Sequence, residues 1–133
     1  MKILINIDVP KLGPAIDFYR TALDVRLTRI IDGDVAELTG ASSVLYLLQK
    51  PAGSSPTKDV AEVRRYGRHW TPVHFDFVVD NVEEAAHRAV CAGARQESAC
   101  VEWMGSRCIT LSDPFGHGFC FIAFEGESYR DDT

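Results

Sequence analysis

The sequence predicts an α+β fold made of two copies of one unit, each a strand, a helix and three further strands (βαβββ). The same order of strand-like and helix-like segments occurs on both sides of a polar stretch at residues 51–70. The two halves also match without gaps at a constant offset, which pairs Val9 with Val79 and Ala15 with Ala85. Such self-similarity indicates a duplicated supersecondary unit. The alternative is two unrelated α+β halves that match by chance.

The elements of the first half are predicted from their periodicity. Residues 2–9 form an aliphatic run that predicts a strand, and apolar residues recur at helical spacing after Pro10. The Asp32-Gly33 pair predicts a hairpin, because its turn needs positive φ angles. This hairpin joins the predicted strands VRLTRII and VAELT, and a further strand is predicted at SVLYLLQ.

The second half repeats this order. VHFDFVV predicts a strand, VEEAAHRAVCAG predicts a helix that stops at Gly93, and ARQESACVE, RCITLS and GFCFIAF predict three strands. We therefore expect a first βαβββ module at residues 1–50, a linker or mobile loop at 51–70, a second module at 71–125 and a polar, frayed tail at 126–133.

The composition of the sequence limits the classes of function that fit it. A chain of 133 residues with 46% hydrophobic residues fits one globular domain, and its net charge of −5 argues against nucleic acid or an anionic membrane as partner. The start of the sequence resembles neither a secretory signal nor a membrane span, which favours the cytoplasm. The chain contains no C-x-x-C pair, so we expect free thiols at Cys91, Cys100, Cys108 and Cys120.

Three stretches carry a resemblance to a known superfamily: VPKLGPAIDFYRTALDV, VHFDFVVDNVEEAAHRAVCAGA and LSDPFGHGFC. They resemble the vicinal oxygen chelate superfamily, which includes glyoxalase I, bleomycin-resistance proteins, fosfomycin-resistance enzymes and extradiol dioxygenases. The glyoxalase-like subgroup is most similar, because it shares an H-x-D strand, here His74 and Asp76, and the ending D-P-x-G-H-x-F-C. The resemblance covers nearly the whole chain. It implies that the two βαβββ modules form a half-open, barrel-like cavity, usually in a homodimer.

The resemblance also implies four metal-ligand positions, which fall on Leu4, Tyr46, His74 and Cys120. Only His74 is a usual ligand of the superfamily. Leu4 has no ligand atom, the phenol of Tyr46 stays protonated at neutral pH, and Cys120 favours soft ions. A catalytic divalent ion needs about three protein ligands. We therefore expect that the superfamily's metal site is lost and that no cofactor is bound.

An alternative keeps a divalent metal, Zn, Ni, Fe or Mn. His74 would be its surviving ligand, or a cluster would form from His74, Asp76 and Cys120. A further alternative adds His69 or His117 to this cluster, although His117 in FGHGF is more typical of a turn or strand edge.

Candidate roles follow for single residues. His74 is a candidate general base, and Cys120 is a candidate nucleophile if His74 lowers its pKa; the alternative for Cys120 is an inert buried thiol. The basic cluster RRYGRHW is either a solvated linker or a lid that meets an anionic or aromatic ligand. Trp103 either caps the cavity mouth or covers the core. The predicted ligand-binding residues are Tyr46, His74, Asp76, Trp103 and Cys120.

These observations favour a protein that binds a small organic molecule, partly aromatic, in its cavity without metal chemistry. The alternative is a metal-dependent lyase, isomerase or dioxygenase of the same superfamily. A purely structural or regulatory role would follow if side chains filled the cavity. The sequence contains no dinucleotide-binding, Walker, H-E-x-x-H or G-x-S-x-G motif.

Overall fold

A computed structural model describes residues 1–131. The chain divides into two compact units, the first covering residues 1–67 and the second beginning at Arg68. Among the described residues, no helix has both the length and the apolar character needed to cross a bilayer. The first unit contains β1 (Ile5–Val9), α1 (Leu12–Leu23), β2 (Arg26–Ile31), β3 (Val35–Thr39) and β4 (Leu45–Gln49). The second contains β5 (Phe75–Val78), α2 (Val82–Ala92), β6 (Arg95–Gln96), β7 (Val101–Trp103), β8 (Ser106–Ser112) and β9 (Gly118–Phe124).

Both units have the same strand order. The first sheet runs β1-β4-β3-β2, and the second runs β5-β9-β8 with β6 and β7 both paired to β8. In each unit the first strand lies parallel to the last, and the other pairs are antiparallel. The predicted α+β class with two βαβββ modules is therefore confirmed.

At the helix termini, side-chain hydrogen bonds satisfy backbone groups that have no partner within the helix. The first amide of α1, at Leu12, donates to the side-chain oxygen of Gln49 at 2.9 Å. The Asn81 side chain caps α2 by accepting a hydrogen bond from the amide of Glu84 at 3.0 Å. The α2 helix stops at Gly93, whose φ of 123° is unfavourable for residues with a side chain. The predicted end of this helix is confirmed.

The predicted hairpin in the first unit also forms. Asp32 and Gly33 have φ angles of 52° and 77°. Their turn joins β2 to β3, with Ile31 opposite Val35. The local Asp-Gly signal was sufficient here, because few residues other than Gly, Asn and Asp adopt positive φ readily.

The strand predicted at ARQESACVE is broken in the structure. The Ser98 hydroxyl accepts a hydrogen bond from the amide of Thr110 at 3.0 Å, in the position of a backbone carbonyl. The amides of Glu97 and Ser98 both donate to the carbonyl of Thr110. This local irregularity divides the predicted strand into β6 and β7.

The stretch predicted as a linker or mobile loop is folded against the first unit as far as residue 67. The Arg64 guanidinium binds the Asp8 carboxylate at 2.7 Å and the carbonyl of Ser55 at 2.8 Å. The Tyr66 hydroxyl donates to the carbonyl of Lys50 at 2.7 Å. The segment therefore makes a charged hydrogen bond to β1 and a hydrogen bond to the residue that follows β4.

The described part of the tail makes contacts within the second unit. The amide of Arg130 donates to the carbonyl of Met104, and the Tyr129 ring lies 4.9 Å from Phe124 and 5.3 Å from Trp103, centre to centre. These contacts fix the tail on the β7–β8 hairpin. The last part of the predicted tail, residues 132–133, lies outside the described residues.

Candidate functional site

The two faces of the second sheet have different chemistry. On one face, Phe77 packs edge-on against Phe119 with ring centres 5.8 Å apart, and Phe121 is fully buried. The α2 helix contacts β8 and β9. Because side chains alternate along a strand, the residues between these rings lie on the other, open face.

A polar row crosses the open face. Asp76 of β5 lies opposite Cys120 of β9, and Cys120 lies opposite Thr110 of β8. The Thr110 hydroxyl is 3.4 Å from the Cys120 sulfur, within hydrogen-bond distance. Cys120, in the middle of the row, is buried, whereas Asp76 at one end is exposed.

An apolar row lies beside the polar one. The strand pairings place Val78 opposite Ile122, Ile122 opposite Cys108, and Cys108 opposite Val101. Val78 and Val101, at the two ends, are 68% and 56% exposed. The open face therefore offers apolar contact area next to hydrogen-bonding groups.

His74 lies immediately before β5 and extends the polar row. Its Nε2 is 3.3 Å from Oδ1 of Asp76, and the two side chains are 38% and 36% exposed. The His74 ring also contacts the indole of Trp70, with centres 5.8 Å apart and planes inclined by 39°. The Asp76 interaction orients the imidazole, and Trp70 forms an aromatic wall beside it.

The structure brings His74, Asp76 and Cys120 together. One ligand atom from each, a ring nitrogen, a carboxylate oxygen and the thiol sulfur, lies within 4.8 Å of the other two. Among the residues that the structure describes, this is the group of three with the ligand types and spacing of a metal site. His69 and His117, also considered from the sequence, do not belong to it.

The surroundings of the two thiols on this face favour their protonated form. Burial raises the pKa of Cys120, and hydrogen bonds from Thr110 and Cys108 only partly oppose this effect. Burial, followed by the proximity of Cys120, raises the pKa of Cys108 to about 12. A cysteine nucleophile needs a lowered pKa, so the raised value argues against a Cys120–His74 catalytic pair.

The corresponding positions of the first unit carry an aliphatic side chain at Leu4, an amide at Asn6 and a phenol at Tyr46. Tyr46 lies opposite Asn6, as Cys120 lies opposite Asp76. The Tyr46 hydroxyl donates to Glu37 at 2.9 Å, and this hydrogen bond is the main reason that its pKa is raised. Leu4, half exposed, precedes β1 and has only carbon in its side chain. The four positions implied by the superfamily resemblance therefore do not fit a metal ion.

Trp103 and His117, two further candidates from the sequence, are not members of the polar row. Trp103 is 63% exposed at the end of β7 and contacts Tyr129. The backbone of His117 closes the turn before β9, where its amide donates to Oδ1 of Asp113 at 2.9 Å. The turn interpretation of His117 agrees with this arrangement.

Sequence reasoning missed part of the open face. Thr110 and Cys108 were not selected, although the two-residue period of β8 places them on the same face as Cys120 once the β8–β9 register is known. Trp70 was recognised only as part of a basic cluster. Its contact with His74 depends on a loop conformation that no periodic pattern predicts.

Comparison with known proteins places this arrangement in a family. The model of the family described as "Glyoxalase-like domain" matches residues 4–122. The chain belongs to this family. It is thus a glyoxalase-like member of the vicinal oxygen chelate superfamily, as the sequence motifs indicated.

Solved structures show the same fold as this glyoxalase-like domain. A glyoxalase/bleomycin resistance protein/dioxygenase family enzyme from Burkholderia phytofirmans PsJN has a TM-score of 0.71 at 17% identity, with 91% of this chain and 96% of that chain covered. A genomically encoded fosfomycin resistance protein from Listeria monocytogenes has a TM-score of 0.68 at 17% identity, with 92% of each chain covered.

A lactoylglutathione lyase from Agrobacterium tumefaciens is similar as well. Its TM-score is 0.63 at 19% identity, with 91% of this chain and 92% of that chain covered. No curated protein matches the sequence. At these identities the similarity establishes the fold, and the chemistry must be argued from the site itself.

Proposed function

We propose that this glyoxalase-like domain binds a small organic molecule with an aromatic part, and that it does so without the four-position metal centre of its superfamily. The observation that carries the proposal is the exposed indole of Trp70 beside His74. An aromatic ligand gains contact area and offset stacking on such a surface. The indole is 67% exposed, so most of its area is available to a ligand.

Arg68 supports the aromatic wall. Its guanidinium carbon lies 5.9 Å from the centre of the Trp70 ring, a cation–π distance. Two hydrogen bonds of 2.7 and 2.8 Å hold the same guanidinium on the Glu97 carboxylate. Because Arg68 is held by Glu97 and lies over the Trp70 ring, it restricts the Trp70 side chain before a ligand binds. Stacking of a ligand on Trp70 then costs little further conformational entropy.

The open face supplies the other features of a small-molecule site. Apolar surface with a few well-placed polar groups is typical of ligand pockets. The row from Val78 to Val101 provides apolar surface, and His74 and Asp76 provide a donor and acceptors beside it. Cys120, protonated and buried, would contact a ligand as a small soft group.

In the first unit, Tyr46 would contact the organic ligand through its ring and would not coordinate a metal ion. Its hydroxyl is engaged by Glu37, which also binds Arg29 at 3.1 Å. We propose Tyr46 as a ligand-contacting ring on its own sheet. Trp103 remains a proposed contact residue whose ring is exposed.

The two tryptophans of the chain allow a direct test. Trp103→Phe leaves Trp70 as the only indole, and Trp70→Phe leaves only Trp103. A panel of small aromatic compounds is titrated against metal-free samples of both variants while tryptophan fluorescence is followed. We expect saturable quenching of Trp70 fluorescence in Trp103→Phe. Measured by calorimetry, the dissociation constant of Trp70→Phe should be at least tenfold higher than that of the wild-type protein.

Two results would contradict this proposal. An affinity of Trp70→Phe equal to that of the wild-type protein would place the ligand away from Trp70. An absence of saturable binding across the panel, with both variants folded by circular dichroism, would remove the small-aromatic class altogether.

We also propose a cytoplasmic homodimer. The exposed valines at the ends of the apolar row, Val78 and Val101, favour a second chain as cover for part of this surface. The four free cysteines are typical of a reducing compartment. Sedimentation equilibrium tests the dimer: a single species of 14.7 kDa at micromolar concentration would contradict it.

A further inference from the structure

We propose that Gly118 is a positioning residue of the ligand site. Because it has no side chain, the guanidinium of Arg68 can lie on the open face of the second sheet and hold Trp70 in its orientation. This inference rests on the proposed function, since Trp70 provides the aromatic contact proposed there. Gly118 acts through Arg68 and not through contact with a ligand.

Gly118 lies on the open face, at the first position of β9. It precedes Cys120 by two residues, and strand side chains repeat every two residues, so both positions face the same way. The Arg68 guanidinium occupies the space that a side chain at Gly118 would fill. A Cβ atom at this position would lie 2.6 Å from Nη2 and 3.0 Å from Cζ of Arg68. Both distances are far below van der Waals contact, so any side chain here would displace the guanidinium.

Hydrogen bonds fix the guanidinium at this place. Nε and Nη2 of Arg68 donate to the Glu97 carboxylate at 2.7 and 2.8 Å, and Nη1 donates to the carbonyl of His69. The pKa of Glu97 is lowered chiefly by its hydrogen bonds from Arg68 and further by one from Ser112. Ser112 lies directly opposite Gly118 on β8. Because a planar guanidinium binds a carboxylate in a defined geometry, these contacts favour one position for it, against Gly118.

Arg68 connects this position to Trp70. Its guanidinium carbon lies 5.9 Å from the centre of the indole, near the outer limit of a cation–π contact. A side chain at Gly118 would push the guanidinium away from Glu97 or towards the indole. Either movement removes the contact that restricts the Trp70 side chain or changes the orientation of its ring.

The effect of a side chain at Gly118 should be confined to Arg68 and to what Arg68 holds. The φ angle of Gly118 is not positive, unlike the φ of 91° at Gly116, so its backbone suits an L-residue. The three atoms that a Cβ would meet all belong to the guanidinium of Arg68, at the end of a flexible side chain. Gly118→Ala should therefore fold like the parent protein while the guanidinium moves.

The test is made in the full chain with Trp103→Phe, where Trp70 is the only indole. Time-resolved fluorescence anisotropy without ligand measures the local motion of the Trp70 ring. Calorimetry measures the dissociation constant of the aromatic panel compound that this background binds most tightly. We expect Gly118→Ala to increase the amplitude of fast local motion and to raise the dissociation constant about fivefold, the cost of ordering one large side chain.

Gly126→Ala is the matched control. A Cβ atom at Gly126 would meet no atom within 4 Å, and its φ angle is not positive either. This variant should leave both the anisotropy and the dissociation constant unchanged. Effects as large as those of Gly118→Ala would show that any added methyl group disturbs Trp70, and would overturn the proposal.

A double-variant cycle separates positioning from a general structural role. Arg68→Ala removes the group that a side chain at Gly118 would displace, and should free Trp70 about as much as Gly118→Ala does. Adding Gly118→Ala to Arg68→Ala should then change neither the anisotropy nor the dissociation constant further. Additive effects of the two substitutions would show that Gly118 acts elsewhere and would overturn the proposal.

The remaining outcomes also decide. Unchanged Trp70 motion in Gly118→Ala, or increased motion with an unchanged dissociation constant, would overturn the role of Gly118. If Gly118→Ala is unfolded by circular dichroism but the double variant with Arg68→Ala is folded, the displacement of Arg68 is supported. If neither folds, Gly118 serves the fold and the proposal fails. If no panel compound binds, the proposed function fails, while the anisotropy cycle still decides whether Gly118 positions Trp70.

Discussion

Asp76 lies directly opposite Cys120 in the parallel pairing of β5 and β9. The equivalent pair in the first unit is Asn6 and Tyr46. Duplicated backbones therefore present different chemistry at the same register, a carboxylate and a thiol in one unit and an amide and a phenol in the other. Only the Asp76–Cys120 pair of the second unit can contribute two strong metal ligands.

The thiols of Cys108, half-buried, and Cys120, buried, should react slowly in the folded protein. Burial raises the pKa of Cys108 to about 12, so very little thiolate is present at pH 7.5, and only the thiolate is alkylated. We expect iodoacetamide to modify the exposed Cys91 well before Cys108 or Cys120. Mass spectrometry of the labelled peptides measures this order. All four thiols should react alike in urea, and equal rates for Cys91 and Cys108 in native protein would refute the assignment.

Arg64 should hold the loop of residues 50–67 on the first unit. Arg64→Ala removes its hydrogen bonds to Asp8 and to the carbonyl of Ser55, at a cost of about 2 kcal/mol for a partly buried charged contact. Limited proteolysis should then cleave the loop faster than in wild type, and urea denaturation should show the loss of stability. The neighbouring exposed Arg65 provides the control. Equal cleavage of Arg64→Ala and Arg65→Ala would show that this contact does not order the loop.

The Arg68–Glu97 pair should give a stability contribution that depends on pH. The Arg68 guanidinium holds the pKa of Glu97 below its ordinary value of 4.5, so the folded state binds its proton less readily than the unfolded state. The contribution is complete above pH 4.5 and is lost as the pH falls through the lower pKa of the folded state. Both side chains are partly exposed, so we expect about 1 kcal/mol.

Urea denaturation of wild type and Glu97→Gln between pH 7 and pH 3 measures this contribution. The difference in the free energy of unfolding should be constant near neutral pH and should shrink in acid. Glu62→Gln, in the exposed loop, should show no such trend. A difference between wild type and Glu97→Gln that grows as the pH falls would reverse the predicted sign.

Asp113 should stabilise the turn that leads into β9. Its buried carboxylate accepts hydrogen bonds from the amides of Phe115 and His117, both at 2.9 Å. Asp113→Ala would leave two backbone donors without this acceptor and should cost about 2 to 3 kcal/mol. Asp113→Asn keeps a side-chain oxygen and should cost less. Chemical denaturation ranks the two variants, and an alanine variant as stable as wild type would contradict this role for the motif.

Much of the fold was predictable because its signals are local. Hydrophobic periods, the Asp-Gly hairpin and the glycine after α2 each act within a few residues, and the repeated order of elements indicated the two modules. The broken strand at Ser98 was missed, because the interruption depends on a side-chain hydrogen bond with Thr110, twelve residues away.

The sequence by itself determined the superfamily, the modular fold and the candidates His74, Asp76 and Cys120, because strand periodicity and motif order are properties of the chain alone. Only the tertiary structure decided that the three ligand atoms lie within 4.8 Å, that Trp70 contacts His74 and that Glu37 engages Tyr46. The physical reason is that these contacts depend on strand register and loop conformation. Both are set by the packing of residues distant in sequence, which no local pattern encodes.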